Sequence, residues 1–501
     1  MPALTSLGIT DIVPSVRNAA SAAIYESGST SRRGLAWRAP TASPNAAILS
    51  SLATIRDRSR SATRNNGFAK GAIDKLVTNI IGTGIKPQPL TADIELRKQI
   101  QDAWLRWTDE SDADGLLDWY GQQAQAVRGW LEGGEVFIRI RPRLLTDGLI
   151  VPLQVQVLEP ELCPYTHNVY ATKGNRIRAG IEFDSIGRRV AYWFHPSRPG
   201  DLMDFDASQL RRVPADSVIH LFDPLRPGQL RGVPHLTQAL VKLNELDKFD
   251  DATLLRQQLA NLFVAFLTRM GNDDALHPLT GEALEDPAES QLPQMEPALL
   301  QALNPGEDIK FSTPPGTSDG YRDFMRQQLF AIAAATGVPY EALTGDMSGV
   351  NDRTVRVIFN EFRLRIQTIQ HQIVAHQVCR QVWNAWVTRA YLANVLPIAP
   401  GSPEAAVRWT PPRTPYIHPV QDVEAQQAAI RAGLTSRSAI VSELGEDAEA
   451  IDEQQATDNA RADEHRLRYD SDARYAKSGT AAGARTPIIE QPDEQRAGAA
   501  A

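Results

Sequence analysis

From Asn351 to Pro397 the chain keeps one helical apolar stripe almost without interruption. Val355, Ile358, Phe362, Ile366, Ile369 and Ile373 recur at spacings of 3, 4, 4, 3 and 4, the period of one helix face. Asp352 is placed to cap the start, and Pro397 marks the end. At ~1.5 Å per residue, 352–396 spans roughly 60–65 Å, longer than a compact globular domain usually needs. Such a helix has to find partners for its apolar side. Where its own chain is too small to supply them, copies of the same chain are the first candidates.

The rest of the chain is organised around that helix. Residues 45–80 read as a helix that Ser43 or Asn45 can cap, ended by the glycines of "IIGTGIKP". A second amphipathic helix covers 94–109, with Trp104 and Trp107 on adjoining turns. A third, "LDWYGQQAQAVRGWLEGGE", stops at Gly133-Gly134. Residues 135–222 are β-rich: "VFIRIRP" and "LQVQVLEP" alternate with period two, and "GIEFDSIGRRVAYWFHP" reads as a hairpin around an Ile-Gly turn. From 234 the period returns to helical through Leu236, Leu240, Leu243, Leu246 and Phe249, continued by Leu255, Leu259 and Leu262. A proline-containing insertion then interrupts, left by a short strand in "IKFSTPP". Helix resumes at 318 with Met325, Leu329 and Ile332. After 425 the chain is helix-prone and acidic, then rich in Ala and Gly.

Charge is segregated along the chain. Between Arg32 and Lys86 ten bases face two acids, and the insertion from Gly271 to Ile309 carries nine acids and no base. Residues 421–501 hold sixteen acids against nine bases. Length and the 42% apolar fraction suggest roughly two to four structural units. Two cysteines, Cys163 and Cys379, argue against a disulfide framework or a cysteine zinc site. No apolar run approaches the ~20 residues of a membrane span, and the N-terminus lacks an apolar signal core, so a soluble cytoplasmic chain without a membrane partner is expected.

Motifs for chemistry fail one by one. The loop "TGVPYEALTGDMSGVN" offers Gly345-Asp346-Met347-Ser348-Gly349, one position off a nucleophile elbow, and it joins helix to helix. "GTGIKP" lacks the third glycine of a dinucleotide fingerprint, and no phosphate-cradling P-loop exists. His371 and His376 stand five apart, about 140° around an α-helix, which does not make a metal pair. His167, His195, His220, His235, His277, His418 and His465 are scattered singly, as loop and strand-end histidines. "FDPLRPGQLRGVPHL" is either a phosphate-binding elbow or a rigid turn aiming the next helix, and the turn is favoured. In "RDRSRSATRNN", Arg56, Arg58, Arg60 and Arg64 could meet phosphates or a subunit, as could Arg353 and Arg356. No aromatics are interleaved for base stacking. A nuclease or protease would need a metal cluster or a nucleophile–base pair, and neither is visible. No catalytic residue, cofactor or metal is expected.

With enzyme chemistry set aside, "LATIRDRSRSATRNNGFAKGAIDKLVTNIIGTGIKPQP", "VIHLFDPLRPGQLRGVP", "FAIAAATGVPYEALTGDMSGVN" and "VRWTPPRTPYIHPVQDVEAQQAAIRAGLTSRSAIVSELGED" resemble, in order and over about residues 30–470, the lambda-type portal family of tailed bacteriophages. Asp352 and Arg353 stand where that pattern has a Tyr-Ser pair. The resemblance implies an α+β portal fold with wing, stem, clip and crown, dominated by long helices with a β-rich block in the wing. It divides the chain into a flexible arm 1–44, wing 45–233, first stem helix 234–264, clip 265–317, second stem helix 318–336, tunnel loop 337–351, long wing helix and return 352–420, crown helices 421–477 and disordered tail 478–501. It implies a homo-oligomeric ring of about twelve copies at one capsid vertex, assembled in host cytoplasm. Double-stranded DNA would pass through its channel, terminase would dock outside, and capsid, scaffold and head-completion proteins would surround it. Gly345, Asp346, Met347, Ser348, Gly349, Val350 and Asn351 would then ring the DNA, with glycines lending mobility. A portal of a gene transfer agent or defective prophage would carry the same marks.

Overall fold

The computed structural model describes residues 41–170, 174–199, 209–261, 265–269, 307–311, 318–412, 419–444, 448–469 and 474. The arm before 41, the interior of the acidic insertion and the tail after 478 lie outside the described residues. Two units separate, one up to Pro411 and one from Pro412.

The expected 45–80 helix is three: α1 (Pro44–Leu49), α2 (Leu52–Asn65) and α3 (Gly67–Ile80). Asn66 makes the second break. Its backbone is extended, and its side chain accepts from the Ala69 amide to start α3, an N-cap in mid-stripe. Ser43 caps α1 by accepting from the Ala46 amide. Asn45 is not a cap: it reaches Gly228 O and the Leu230 amide, at 2.9 Å each. Strand β1 (Lys86–Pro89), α4 (Ile94–Glu110) and α5 (Trp119–Gly133) follow. Gly134 closes α5 in the left-handed region.

The β-rich block is two antiparallel sheets. One has the order β3 (Leu153–Leu158), β2 (Glu135–Pro142), β9 (Val218–Phe222). The other runs through β4 (Val169–Tyr170), β5 (Arg176–Arg178), β6 (Ile181–Phe183), β7 (Arg189–Phe194) and β8 (Arg211–Pro214). The β6–β7 hairpin turns through Ile186 and Gly187, as expected, with Gly187 in the left-handed region (φ 85°). Its connection is 184–188, closed by Asp184 N–H to Arg188 O at 3.0 Å and Gly187 N–H to Asp184 O at 3.1 Å. Successive side chains of a strand face opposite ways, so β2 and β9 serve two cores. Val136, Ile138, Ile140, Ile219 and Leu221 face the helices. Phe137 and Val218 join Cys163, Ile181, Tyr192 and Phe194 in a smaller core.

After β9 a 3-10 turn (His235–Gln238) leads into α6 (Leu240–Asn261). Strand β10 (Ala265–Arg269) pairs antiparallel with β11 (Glu307–Phe311), at the two ends of the insertion. Then come α7 (Ser318–Thr336) and a short α8 (Tyr340–Thr344), so the supposed loop 337–351 contains a helical turn.

The long helix is real, with three corrections. It starts as α9 (Asp352–Ile369), passes through a π-helix (Gln370–Cys379), and ends as α10 (Arg380–Leu392), before Pro397. Asn351, not Asp352, is its cap: Oδ1 accepts from the Thr354 amide and hydroxyl at 2.9 Å each. Within the π segment i→i+5 bonding replaces the α period, so the 140° separation of His371 and His376 does not hold; both are exposed. The buried side of this segment carries two glutamines that stitch it down. Gln370 donates to Ile80 O (2.9 Å) and Asn79 O (3.1 Å), satisfying carbonyls at the end of α3. Gln377 both donates to Phe222 O and accepts from its amide, pairing with the edge of β9.

Tryptophans weld α4, α5 and α10 together. Trp104 lies 4.9 Å from Trp107, 5.2 Å from Trp383 and 5.1 Å from Trp386, centroid to centroid, and Trp107 is 6.0 Å from Trp119. Such pairs contribute about 0.5–1.5 kcal/mol each beyond area burial. Strand β12 (Val407–Thr410) pairs with β1, bringing residue 410 back to residue 86. The second unit holds α11 (Pro419–Arg431), α12 (Arg437–Glu443) and α13 (Ala448–Glu464). Architecturally the chain is α+β, as expected.

Candidate functional site

The segment 345–351 is a pinned turn. Gly345 (φ 75°) ends α8, and Gly349 (φ 83°) turns the chain toward α9; both are left-handed positions that suit glycine. Asp346 organises what lies between. Its Oδ2 accepts from the Tyr340 hydroxyl at 3.1 Å, and its Oδ1 accepts from the Ser348 amide at 2.9 Å and from the Ser348 hydroxyl. Its own amide donates to Thr344 Oγ1 at 3.1 Å. The Ser348 hydroxyl and amide hold the Asp346 carboxyl below its ordinary range. Met347, Ser348 and Gly349 form the exposed tip. The Oδ1 of Asn351 is occupied as the cap of α9. Ser348 gives its hydroxyl to a carboxylate. Among the described residues no group of three His, Cys, Asp or Glu is arranged to hold a metal.

The arginines expected at phosphates or subunits part company. Arg58, Arg64 and Arg353 are exposed, and Arg356 is half-buried with Nε 3.6 Å from Asp352. Arg60 makes a two-toothed pair with Glu161, at 2.8 and 2.9 Å. Arg56 is a correction: it is buried, donates from Nε to Gly133 O at 2.8 Å, and pairs with Glu135. Its helix face points into the β-rich block, which removes it from any phosphate.

Glu135 is the centre of a buried cluster that sequence reading missed. Arg231 Nε donates to Glu135 Oε1 at 2.6 Å, His220 Nε2 to Oε2 at 2.8 Å, and the Gly232 amide to Oε2 at 2.9 Å. Arg231 also donates to the carbonyls of Cys163 (3.0 Å), Ala179 (2.9 Å) and Pro160 (3.2 Å). A Cβ on Gly232 would stand 1.9 Å from Gly134 O, so glycine is required for this approach. Burial alone would raise the Glu135 carboxyl; Arg231 and Arg56 more than offset it and hold it well below the carboxylate range. Burial pushes His220 down to about 4 despite its carboxylate partner. It is therefore neutral, donating from Nε2 to Glu135 while Nδ1 accepts from Arg189 at 3.4 Å. His220 is thus a central-strand residue, not a strand-end one. Arg231 settles the Pro-rich segment as a structural turn: its guanidinium is fully buried. His235 is also committed, with Nε2 donating to Thr336 O at 2.7 Å.

A second feature is a groove of about 480 Å³ where the α2–α3 junction meets α6 and α8, lined by Asn65, Asn66, Phe68, Asp250, Asp251 and Leu343 among others.

The sequence model described as "Phage portal protein, lambda family" matches residues 30–370. A probable portal protein of Halomonas phage phiHAP-1 is 26% identical over 427 residues, 81% of this chain and 80% of that one. Portal protein B of Escherichia phage lambda is 21% identical over 506 residues, 92% of this chain and 93% of that one. Among solved structures, a chain in the neck of an empty gene transfer agent particle aligns with a TM-score of 0.43 and 17% identity, over 79% of this chain and 93% of its own.

Proposed function

The chain belongs to the lambda family of phage portal proteins, and we propose that about twelve copies of it close into a ring at one vertex of the virion capsid, through which double-stranded DNA enters under terminase and later leaves. In this reading α6 and α7 are the stem, β10 and β11 the base of a clip that meets terminase, residues 45–233 and the long helix the wing, and the second unit the crown. Capsid, scaffold and head-completion proteins would contact the outer surface. The turn 345–351 would line the channel. Its exposed tip carries a carboxylate behind Met347 and Ser348 and no base, a surface that slides past phosphate rather than gripping it.

The observation that carries the reading within this chain is the fate of the α6 stripe. Leu240, Leu243 and Leu246 are buried, but Phe249, Leu254 and Leu255 further along the same helix are exposed. A helix that leaves its core with apolar residues still on it has a surface for neighbours. Mass photometry and negative-stain micrographs of the full chain test this. A closed ring with a central hole is the expected result; monomer alone across micromolar concentrations and a range of salt refutes it.

A further inference from the structure

We propose that neighbouring copies join head to tail, the exposed stripe of α9 on one copy seating against the acidic stripe of α6 on the next. The proposal rests on the ring reading above and names the surfaces that make the ring.

Asp247, Asp250, Asp251 and Leu254 follow one another at spacings of 3, 1 and 3 on α6, so they share a face. That face borders the groove at the α2–α3 junction. Asp247 accepts from the Asn66 side-chain Nδ2 at 2.6 Å and Asp250 from the Tyr321 hydroxyl. Asp251 is exposed, and among the described residues no partner for it is found. Leu254 and Leu255 beside it are 59% and 55% exposed. The surface is apolar and anionic together.

On α9, Arg353, Val357, Asn360 and Leu364 fall at spacings of 4, 3 and 4, again one face. Phe362 and Ile366 on the opposite side are buried in the chain's own core, while Val357 and Leu364 are 63% and 64% exposed. Arg353 sits in the first turn, at the positive end of the helix dipole, where a cation is locally disfavoured. Among the described residues it has no carboxylate partner to compensate.

The two stripes are complementary: carboxylates beside a leucine on one, a guanidinium beside a valine and a leucine on the other. They lie on different elements, so the contact is heterologous, the kind that closes rings. DNA is a poor occupant for the acidic stripe, because three carboxylates repel phosphate. A second copy supplies both the charge and the apolar area.

The test uses the full chain with Asp251→Arg, Arg353→Glu and the double variant. Both side chains are exposed, so each variant keeps the wild-type monomer melting curve. Each single change sets like charges together and raises the concentration needed for rings about tenfold or more, read by mass photometry. The double variant assembles within about threefold of wild type, since paired changes in contact are not additive. An equimolar mixture of the two single variants also assembles, because alternating copies restore every contact. Singles that assemble like wild type, or a double variant no better than the worse single, overturn the pairing while leaving the ring intact. A wild-type chain that never forms rings overturns the ring reading, and this proposal with it.

Discussion

Replacing Glu135 with Gln tests whether the buried charge cluster holds the β-rich block to the helices. The change keeps the shape and an acceptor oxygen but removes the negative charge between Arg56 and Arg231, which are 2% and 0% exposed. Breaking a buried ion pair from one side costs about 3–5 kcal/mol, since the remaining charge is left uncompensated. Here two guanidinium groups lose the same partner, so the upper part of that range is expected. Against a total stability of about 5–15 kcal/mol for a folded domain, this is a large fraction. Urea unfolding followed by tryptophan fluorescence and by circular dichroism, at concentrations where the chain is monomeric, reads the loss. Coincidence of the two curves checks that one transition is being measured. A loss below about 1 kcal/mol for Glu135→Gln, against that 3–5 kcal/mol, would refute the argument.

His220 makes stability fall with acid. Its folded value is depressed to about 4 from an ordinary 6.5, so between those values the unfolded chain binds a proton that the folded chain refuses. The contribution is fully present above pH 6.5 and is lost as pH drops toward 4, about 3 kcal/mol in all; urea midpoints that do not fall over this window would contradict it. Asn351→Ala removes the cap on α9 and should cost about 1 kcal/mol, read as a lower melting temperature with exchange protection lost first in the opening turn of α9. Asp346→Lys with Ser348→Lys puts positive charge at the tip of 345–351. If that turn lines the channel, packaging in a purified motor assay slows or DNA is retained, with relief at higher salt, while rings still form; unchanged packaging at low salt removes the turn from the DNA path. Deleting 275–300 should leave rings intact and abolish terminase binding, measured by pull-down, and normal packaging by the deletion variant would refute the clip assignment.

Periodicity and punctuation carry most of the architecture in the sequence. The spacing from Val355 to Ile373 marks the long helix, Gly133-Gly134 ends α5, and the alternation of "VFIRIRP" marks β2, because each is a local signal written within one element. What local pattern does not contain is the competition between elements. Asn66 looks like one more polar residue on a helix face until its side chain is seen capping α3. The π segment arises where Gln370 and Gln377 bond the end of α3 and the edge of β9, more than a hundred residues away in both cases. Arg56 reads as one of a run of surface arginines, yet its face is turned inward. Its partner Glu135, and the His220 and Arg231 that share that carboxylate, come from three separate stretches, each unremarkable where it stands. A buried ion cluster has no sequence period, since its members are chosen by proximity after folding, when desolvation makes an unpaired charge too costly to keep. The sequence by itself determined which segments are helix and strand and which family they compose. The tertiary structure decided which charges are consumed inside the chain and which, like Asp251 and Arg353, stay exposed on its surface.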